Sequence, residues 1–334
     1  MLQAALPPSV HAGGVGYQVD LLARALTDRR HSVTVFVVDR PPEDAPYRCV
    51  QVAAVSGRVR RLVSVGLAFA GLDLSDYDVV HAHGDDWLFG RRRRVRTFYG
   101  SALMEARTAT RLLRRLAQLG YYGLEWISSI NPYTVAISEG TRRYLPLVRA
   151  SIPCAVDGEA FHPGGARTAE PSILFVAGTL KGRKRGDLLL EAFAEVREAV
   201  PDASLTIVSS DRVTGAGITC LSRIAAGELG ALYRSHWLLC STSSYEGFGV
   251  PYVEALASGL PIVTTPNDGA REVLRDGALG VLSPPEHLSS DIVSLIGDPD
   301  RRDHLAAQGV EAAGPYGRDV VARRYEQLYS RAVG

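Results

Sequence analysis

The stretch that most limits what this chain can fold into is Ser243 to Thr265, SSYEGFGVPYVEALASGLPIVTT. An apolar run before it, Trp237 to Ser241, reads as a buried strand, and the stretch itself closes on a second apolar run. Between them Gly247 and Gly249 let the backbone approach a ligand without interference from a Cβ. Pro251 has no amide hydrogen to leave unpaired, so a helix is expected to start near it. Strand, loop, helix, strand is the repeating unit of a parallel α/β sheet. The free amides and positive dipole end of that helix face back into the loop and attract an anion. Glu246 and Glu254 flank the site at an E-x7-E spacing. A carboxylate does not grip a phosphate, so these two are expected to face hydroxyl groups. Sugar plus phosphate is the ligand class that satisfies both halves; a capped helix with solvated glutamates is the plainer alternative.

The string EGFGVPYVEALASGLPIV resembles the signature of the retaining glycosyltransferases of family 4, the GT-B-fold group. The resemblance implies an α/β architecture of two Rossmann-like parallel-sheet domains facing each other across a cleft. Residues 1–150 would form the acceptor-side domain and residues 151–317 the donor-side domain, with a C-terminal helix, 318–334, crossing back onto the first. It also implies a nucleotide diphosphate sugar as donor, with Glu246 beside its sugar and Glu254 on its ribose. Phe248, Gly249 and Val250 of the same turn belong to the donor site on this reading.

A length of 334 residues exceeds the size at which one hydrophobic core stops growing, so two domains are expected independently of any resemblance. The formal net charge of +1 argues against a nucleic-acid-binding protein. No apolar run is long enough to span a bilayer and the first residues lack a basic leader, which points to a cytoplasmic protein. Cys49, Cys154, Cys220 and Cys240 form no C-x-x-C pair and are expected to be reduced, buried thiols. Of the 37 basic residues only Lys181 and Lys184 are lysine, both in one glycine-rich loop.

In the first half, Met1 to Leu6 reads as a strand, PPSVHAGGVG as a loop, YQVDLLARALTDR as a helix and Val33 to Val38 as a buried strand. Gly14, Gly16 and Asp39 suggest a dinucleotide fingerprint. Against it, Pro7 to Ala12 separate strand from glycines and the third glycine is missing. The longer loop resembles the family's acceptor-side glycine loop, which implies that Gly14 and Gly16 approach the donor phosphates or the acceptor. In YDVVHAHGDD, Val79 and Val80 make a short strand with His81 and His83 on one face. The family likeness places His83 beside the reacting sugar; a pair of hydrogen-bonded strand-end histidines is the alternative. No third ligand accompanies them for zinc. Arg91 to Arg96 is the main charge run. Arg107, Arg111, Arg114 and Arg115 then lie in a helical pattern with Leu112, Leu113, Leu116 and Leu119 on the other side. Contact with an anionic membrane or an acidic acceptor, or a solvated basic face, would each explain these arginines.

The second half is a cleaner α/β alternation, with Pro- and Gly-rich residues at SIPCAVDGEAFHPGG marking the junction. Arg183 and Lys184 fall at the carboxyl end of the strand Ser172 to Ala177. A guanidinium fork and an ammonium there suit a diphosphate, and the resemblance assigns them to the donor pyrophosphate. The expected reaction is transfer of a sugar with retention, using neither metal nor cofactor; Asp85-Asp86 lacks D-x-D spacing. Lys184, Arg183 and the helix amides after Gly249 would stabilise the departing diphosphate, and Glu246 and His83 would attend the sugar. A sugar-nucleotide epimerase and a non-catalytic sugar-nucleotide sensor are the competing readings. A pyridoxal-dependent phosphorylase is disfavoured by two lysines in a single loop.

Overall fold

A computed structural model describes residues 1–3, 5–7, 13–53, 65–84, 94–109, 111–222 and 224–334. The chain divides into two compact units, Met1–Ala155 with Arg318–Gly334, and Val156–Gly317.

The first unit contains β1 (Thr34–Val37), β2 (Arg48–Gln51), β3 (Val80–Ala82), β4 (Arg94–Phe98), β5 (Thr134–Ala136) and β6 (Ala150–Ser151). β3 to β6 pair in that order and β1 pairs with β2, all parallel. Leu2 joins the two sets by parallel bridges to Phe36 and Ala82. Among its described residues the N-terminal segment, expected as a strand over Met1 to Leu6, is thus a sheet member around Leu2 alone. Its insertion gives the order β2, β1, Leu2 segment, β3, β4, β5, β6. Connections therefore run one way from the Leu2 segment and then the other, with a switch point between it and β3.

Two helices close one face of this sheet. Gly13–Asp28 buries Val19, Leu22, Ala23 and Leu26, the helical spacing that the sequence displays. Arg318–Val333 packs beside it through Val321, Ala322, Tyr325 and Leu328. Glu326 anchors that helix, accepting from Arg29 at 2.7 Å and lying 2.8 Å from His31. Gln18 is tied to Ala155 through both its amide atoms, at 2.9 and 2.7 Å.

The arginine run differs from expectation. Arg94 and Arg96 lie inside β4 with 5% and 7% exposure, and both donate to Ser128 Oγ. Arg96 also lies 4.5 Å over the Phe98 ring. Strand periodicity carried them inward, and a hydroxyl, a carbonyl and an aromatic face replaced water; Arg91, Arg92 and Arg93 lie outside the described residues. Helices follow at Ala102–Thr108 and Leu112–Ser129. The second exposes both faces at its start: Leu112, Leu113 and Leu116 are 71, 83 and 55% exposed.

The second unit contains β7 (Ser172–Val176), β8 (Ser204–Val208), β9 (Ile218–Leu221), β10 (Leu238–Ser241), β11 (Ile262–Thr264) and β12 (Val281–Leu282). They form one parallel sheet in the order β9-β8-β7-β10-β11-β12. Its core joins Phe175, Leu205, Ile207 and Val263 to Leu189, Phe193 and Val196 of the helix Gly186–Ala199. β9 and β12 escape the sequence reading because ITCL and VL are too short to show a period. Cys154 and Cys240 are buried as expected, whereas Cys49 and Cys220 are half-buried; all four are free thiols.

Candidate active site

The order β9-β8-β7-β10-β11-β12 is that of a doubly wound nucleotide-binding sheet, whose connections reverse between β7 and β10. Ligands settle at the carboxyl ends of the strands at such a switch point. The two loops leaving β7 and β10 carry the residues that the sequence singled out.

After β7 the chain makes a tight turn at Gly182–Lys184, and Arg185 then takes a left-handed conformation with φ of 47°. The Arg185 guanidinium donates to Thr242 O at 2.6 Å and Thr265 Oγ1 at 2.7 Å, while Thr242 Oγ1 donates to Lys184 O at 2.6 Å. These bonds fasten the turn to the end of β10. Arg183 and Lys184 are thereby aimed at the second loop. Arg183 Nη1 donates to Glu246 Oε2 at 2.9 Å and to Tyr245 O at 2.8 Å, and Lys184 Nζ donates to Glu246 Oε1. Lys184 and Glu246 keep side-chain exposures of 13 and 10%. Burial alone would raise the Glu246 carboxyl, but the Lys184 and Arg183 charges outweigh it and hold the group below the usual carboxylate range. Arg183, Lys184 and Glu246 together carry a net charge of +1, and the Arg185 guanidinium adds a further positive charge at the end of β10.

The second loop enters the helix Val250–Ala257 through Gly249, with φ of 100°. A Cβ there would meet the Tyr252 ring at 2.2 Å, so only glycine fits. Pro251 stands in the first turn, one residue after the observed start. Phe248 is 3% exposed and packs edge-on to Tyr316, so its ring serves packing rather than the open face of the loop. Its carbonyl lies 2.4 Å from where a Cβ on Gly269 would be, which makes Gly269 a second obligatory glycine. Val250 is half-buried and offers its amide at the helix start. Glu254, one turn on, is 6% exposed, and Tyr233 donates to its Oε2 at 2.8 Å. Burial pushes this carboxyl up to about 8, with the tyrosine bond opposing. Two carboxyls eight positions apart thus differ in state: Glu246 is ionised and paired, and Glu254 carries a proton near neutrality.

In the first unit the helix begins at Gly13, so Gly14 and Gly16 lie in its first turn and not in a loop. Gly16 is buried, continuing the stripe of Val19 and Ala23; the loop residues 8–12 lie outside the described residues. His81 lies in β3 and His83 just past its carboxyl end, both almost fully buried, with ring centroids 3.8 Å apart. His81 is bonded at both nitrogens, to Tyr329 Oη at 2.7 Å and to Thr97 Oγ1 at 2.8 Å. His83 is bonded at one, Nδ1 to Tyr99 Oη at 3.0 Å, and its buried Nε2 has no partner among the described residues. Tyr99 and Tyr233 escape sequence reasoning. Tyr99 follows the end of β4 as His83 follows β3, so the strand-end rule would have found it; nothing near Tyr233 advertises its partner.

The profile described as "Glycosyltransferase Family 4" matches residues 12–157, and that described as "Glycosyl transferases group 1" matches residues 158–311. Together they span both units. The chain belongs to the group 1 and family 4 glycosyltransferases. This glycosyltransferase is 26% identical over 95% of its length to a phosphatidyl-myo-inositol mannosyltransferase of Mycobacterium leprae, covering 92% of that protein. A D-inositol 3-phosphate glycosyltransferase of Catenulispora acidiphila is 27% identical, with 95% of this chain and 87% of the relative covered. Sucrose-phosphate synthase from Thermosynechococcus elongatus superposes with a TM-score of 0.80 at 21% identity, covering 99% of this chain and 98% of that one. The enzyme thus has the GT-B fold anticipated from its glycine-proline signature. Among the described residues of the glycosyltransferase, no three His, Cys, Asp or Glu side chains converge to hold a metal ion. None of its described helices is long and apolar enough to cross a membrane.

Proposed function

We propose that the enzyme transfers a sugar from a nucleotide diphosphate sugar, with retention and without a metal ion, and that the second unit holds the donor. The observation that carries this reading is the Arg183–Lys184–Glu246 cluster at the β7/β10 switch point, beside the glycine-started helix Val250–Ala257. In a departing diphosphate, negative charge grows on the bridging oxygen as the bond to the anomeric carbon breaks. Lys184, Arg183 and the amides after Gly249 are fixed dipoles and charges for that oxygen, already oriented before the reaction. Glu246 occupies the cations until a diphosphate replaces it, and then turns to the sugar hydroxyls. Glu254, with Tyr233, serves the ribose. His83 of the first unit attends the sugar or acceptor, and the leaving phosphate takes the acceptor proton on the same face.

The acceptor is proposed to be an inositol bearing phosphate, free or in a lipid, since both relatives named above act on such compounds by name. The lipid form is favoured by the helix Leu112–Ser129, where Leu112, Leu113 and Leu116 stand exposed among exposed Arg111, Arg114 and Arg115. Apolar side chains flanked by cations suit an anionic bilayer surface. Arg94 and Arg96, being buried, take no part.

The test is incubation with UDP-, GDP-, dTDP- and ADP-sugars, with and without inositol phosphate or phosphatidylinositol vesicles. Acceptor-dependent release of nucleoside diphosphate and a product of unchanged anomeric configuration are expected. Conversion of the donor sugar without acceptor would identify an epimerase, and binding without turnover a sensor.

A further inference from the structure

The two buried histidines at the end of β3 are not equivalent, and the difference lies in what each nitrogen meets. His81 is saturated: Tyr329 and Thr97 hold its two nitrogens, and Thr97 Oγ1 is itself 3.0 Å from Tyr325 Oη. Tyr325 and Tyr329 come from the helix Arg318–Val333, so that helix locks the His81 ring. The locked ring lies against His83, with centroids 3.8 Å apart and planes tilted by 39°. Among the described residues His83 is left with one bond, Nδ1 to Tyr99, and one buried nitrogen without a partner. Buried polar atoms are almost always paired, so an orphan at a strand end calls for an explanation.

We infer that Tyr99 is a positioning residue, which fixes His83 as the tautomer carrying its proton on Nε2 and makes that nitrogen a hydrogen-bond donor to a substrate oxygen. The chemistry of the pair sets the direction. A phenol is the stronger proton donor and an imidazole nitrogen the stronger acceptor, so Tyr99 Oη–H donates to Nδ1. A neutral imidazole that accepts at Nδ1 carries its hydrogen on Nε2. Burial keeps both histidines well below their ordinary range, so neither is an imidazolium at neutral pH. His83 is then unable to accept a proton at Nε2. It steers an oxygen of the sugar or acceptor and leaves deprotonation to another group. This rests on the reading that His83 attends the substrate; the role of Tyr99 is additional to it.

The experiment is long-range proton–nitrogen NMR on the full chain labelled with 15N-histidine, His83 being assigned by the signals that vanish in His83→Gln. The wild type is expected to show a bare Nδ1 and a protonated Nε2 at His83. Tyr99→Phe is expected to mix the tautomers and to lower kcat roughly tenfold, the worth of about one hydrogen bond, with donor KM unchanged. A proton on Nδ1 in the wild type, or a tautomer indifferent to Tyr99→Phe, overturns the inference. The wild-type spectrum alone decides the first point, whether or not the variant folds. Wild-type turnover by His83→Gln, with the tautomer as expected, would instead remove the functional reading of His83 on which the role of Tyr99 depends.

Discussion

The two units share a strand order yet furnish their switch points with opposite chemistry. At the end of β7 and β10 the second unit gathers three cations, a carboxylate and a helix N-terminus. Past the ends of β3 and β4 the first unit places a neutral histidine and a tyrosine, with a second histidine ring tilted against the first. On the proposed reading, the same backbone scaffold serves a charge to be stabilised in one unit and uncharged hydroxyls to be oriented in the other. The loops decide which: KGRKRG and YEGFG put charge at the strand ends, whereas HAHG and FYG put neutral donors and acceptors there.

Removing charge from the second unit should break this comparison most sharply. Lys184→Ala is expected to cost about 2 to 4 kcal/mol of transition-state stabilisation, roughly 30- to 1000-fold in kcat/KM. Steady-state kinetics with the donor that turns over will check it, and near-normal rates would take Lys184 out of the site.

The next effect concerns Glu254, whose carboxyl is pushed up to about 8 in the fold. Between the unfolded value near 4.5 and about 8 the folded state holds a proton that the unfolded chain has released, so stability falls as pH rises through that window. Glu254→Gln should erase this slope and gain about 3 to 4 kcal/mol over the wild type at pH 8 compared with pH 5, while weakening nucleotide binding. Denaturant melts at the two pH values will show it; parallel curves would contradict a buried carboxyl held protonated by the fold. Glu246 works with the opposite sign, its lowered carboxyl adding stability that is lost only as pH drops through its folded value.

The smallest effect sharpens the picture of the first unit. Leu113→Ser with Leu116→Ser should weaken flotation with phosphatidylinositol-containing vesicles by about 1 kcal/mol per leucine, and leave turnover of a soluble acceptor intact. Unchanged flotation would assign the exposed helix to another purpose.

Much of the second unit was legible because its elements carry local signals. Gly249 and Pro251 mark a helix start, and Arg183 and Lys184 sit at a strand end that periodicity reveals. The first unit hides its logic in long-range contacts. Arg94 and Arg96 read as surface charge until β4 turns them inward onto Ser128, which lies more than thirty positions away. Gly14 and Gly16 read as a loop, although a helix accepts glycine in its first turn when the buried stripe continues through it. The inequality of His81 and His83 depends on a tyrosine just past β4 and on tyrosines of the last helix, which no spacing within HAHG can foretell.

The central claim, that the cations beside β7 and β10 hold the diphosphate of the donor, is tested most directly by calorimetric titration of Lys184→Ala with a nucleoside diphosphate and with the matching nucleoside. The account predicts roughly tenfold or greater loss of affinity for the diphosphate, with the nucleoside unaffected. Equal affinity of variant and wild type for the diphosphate would contradict it.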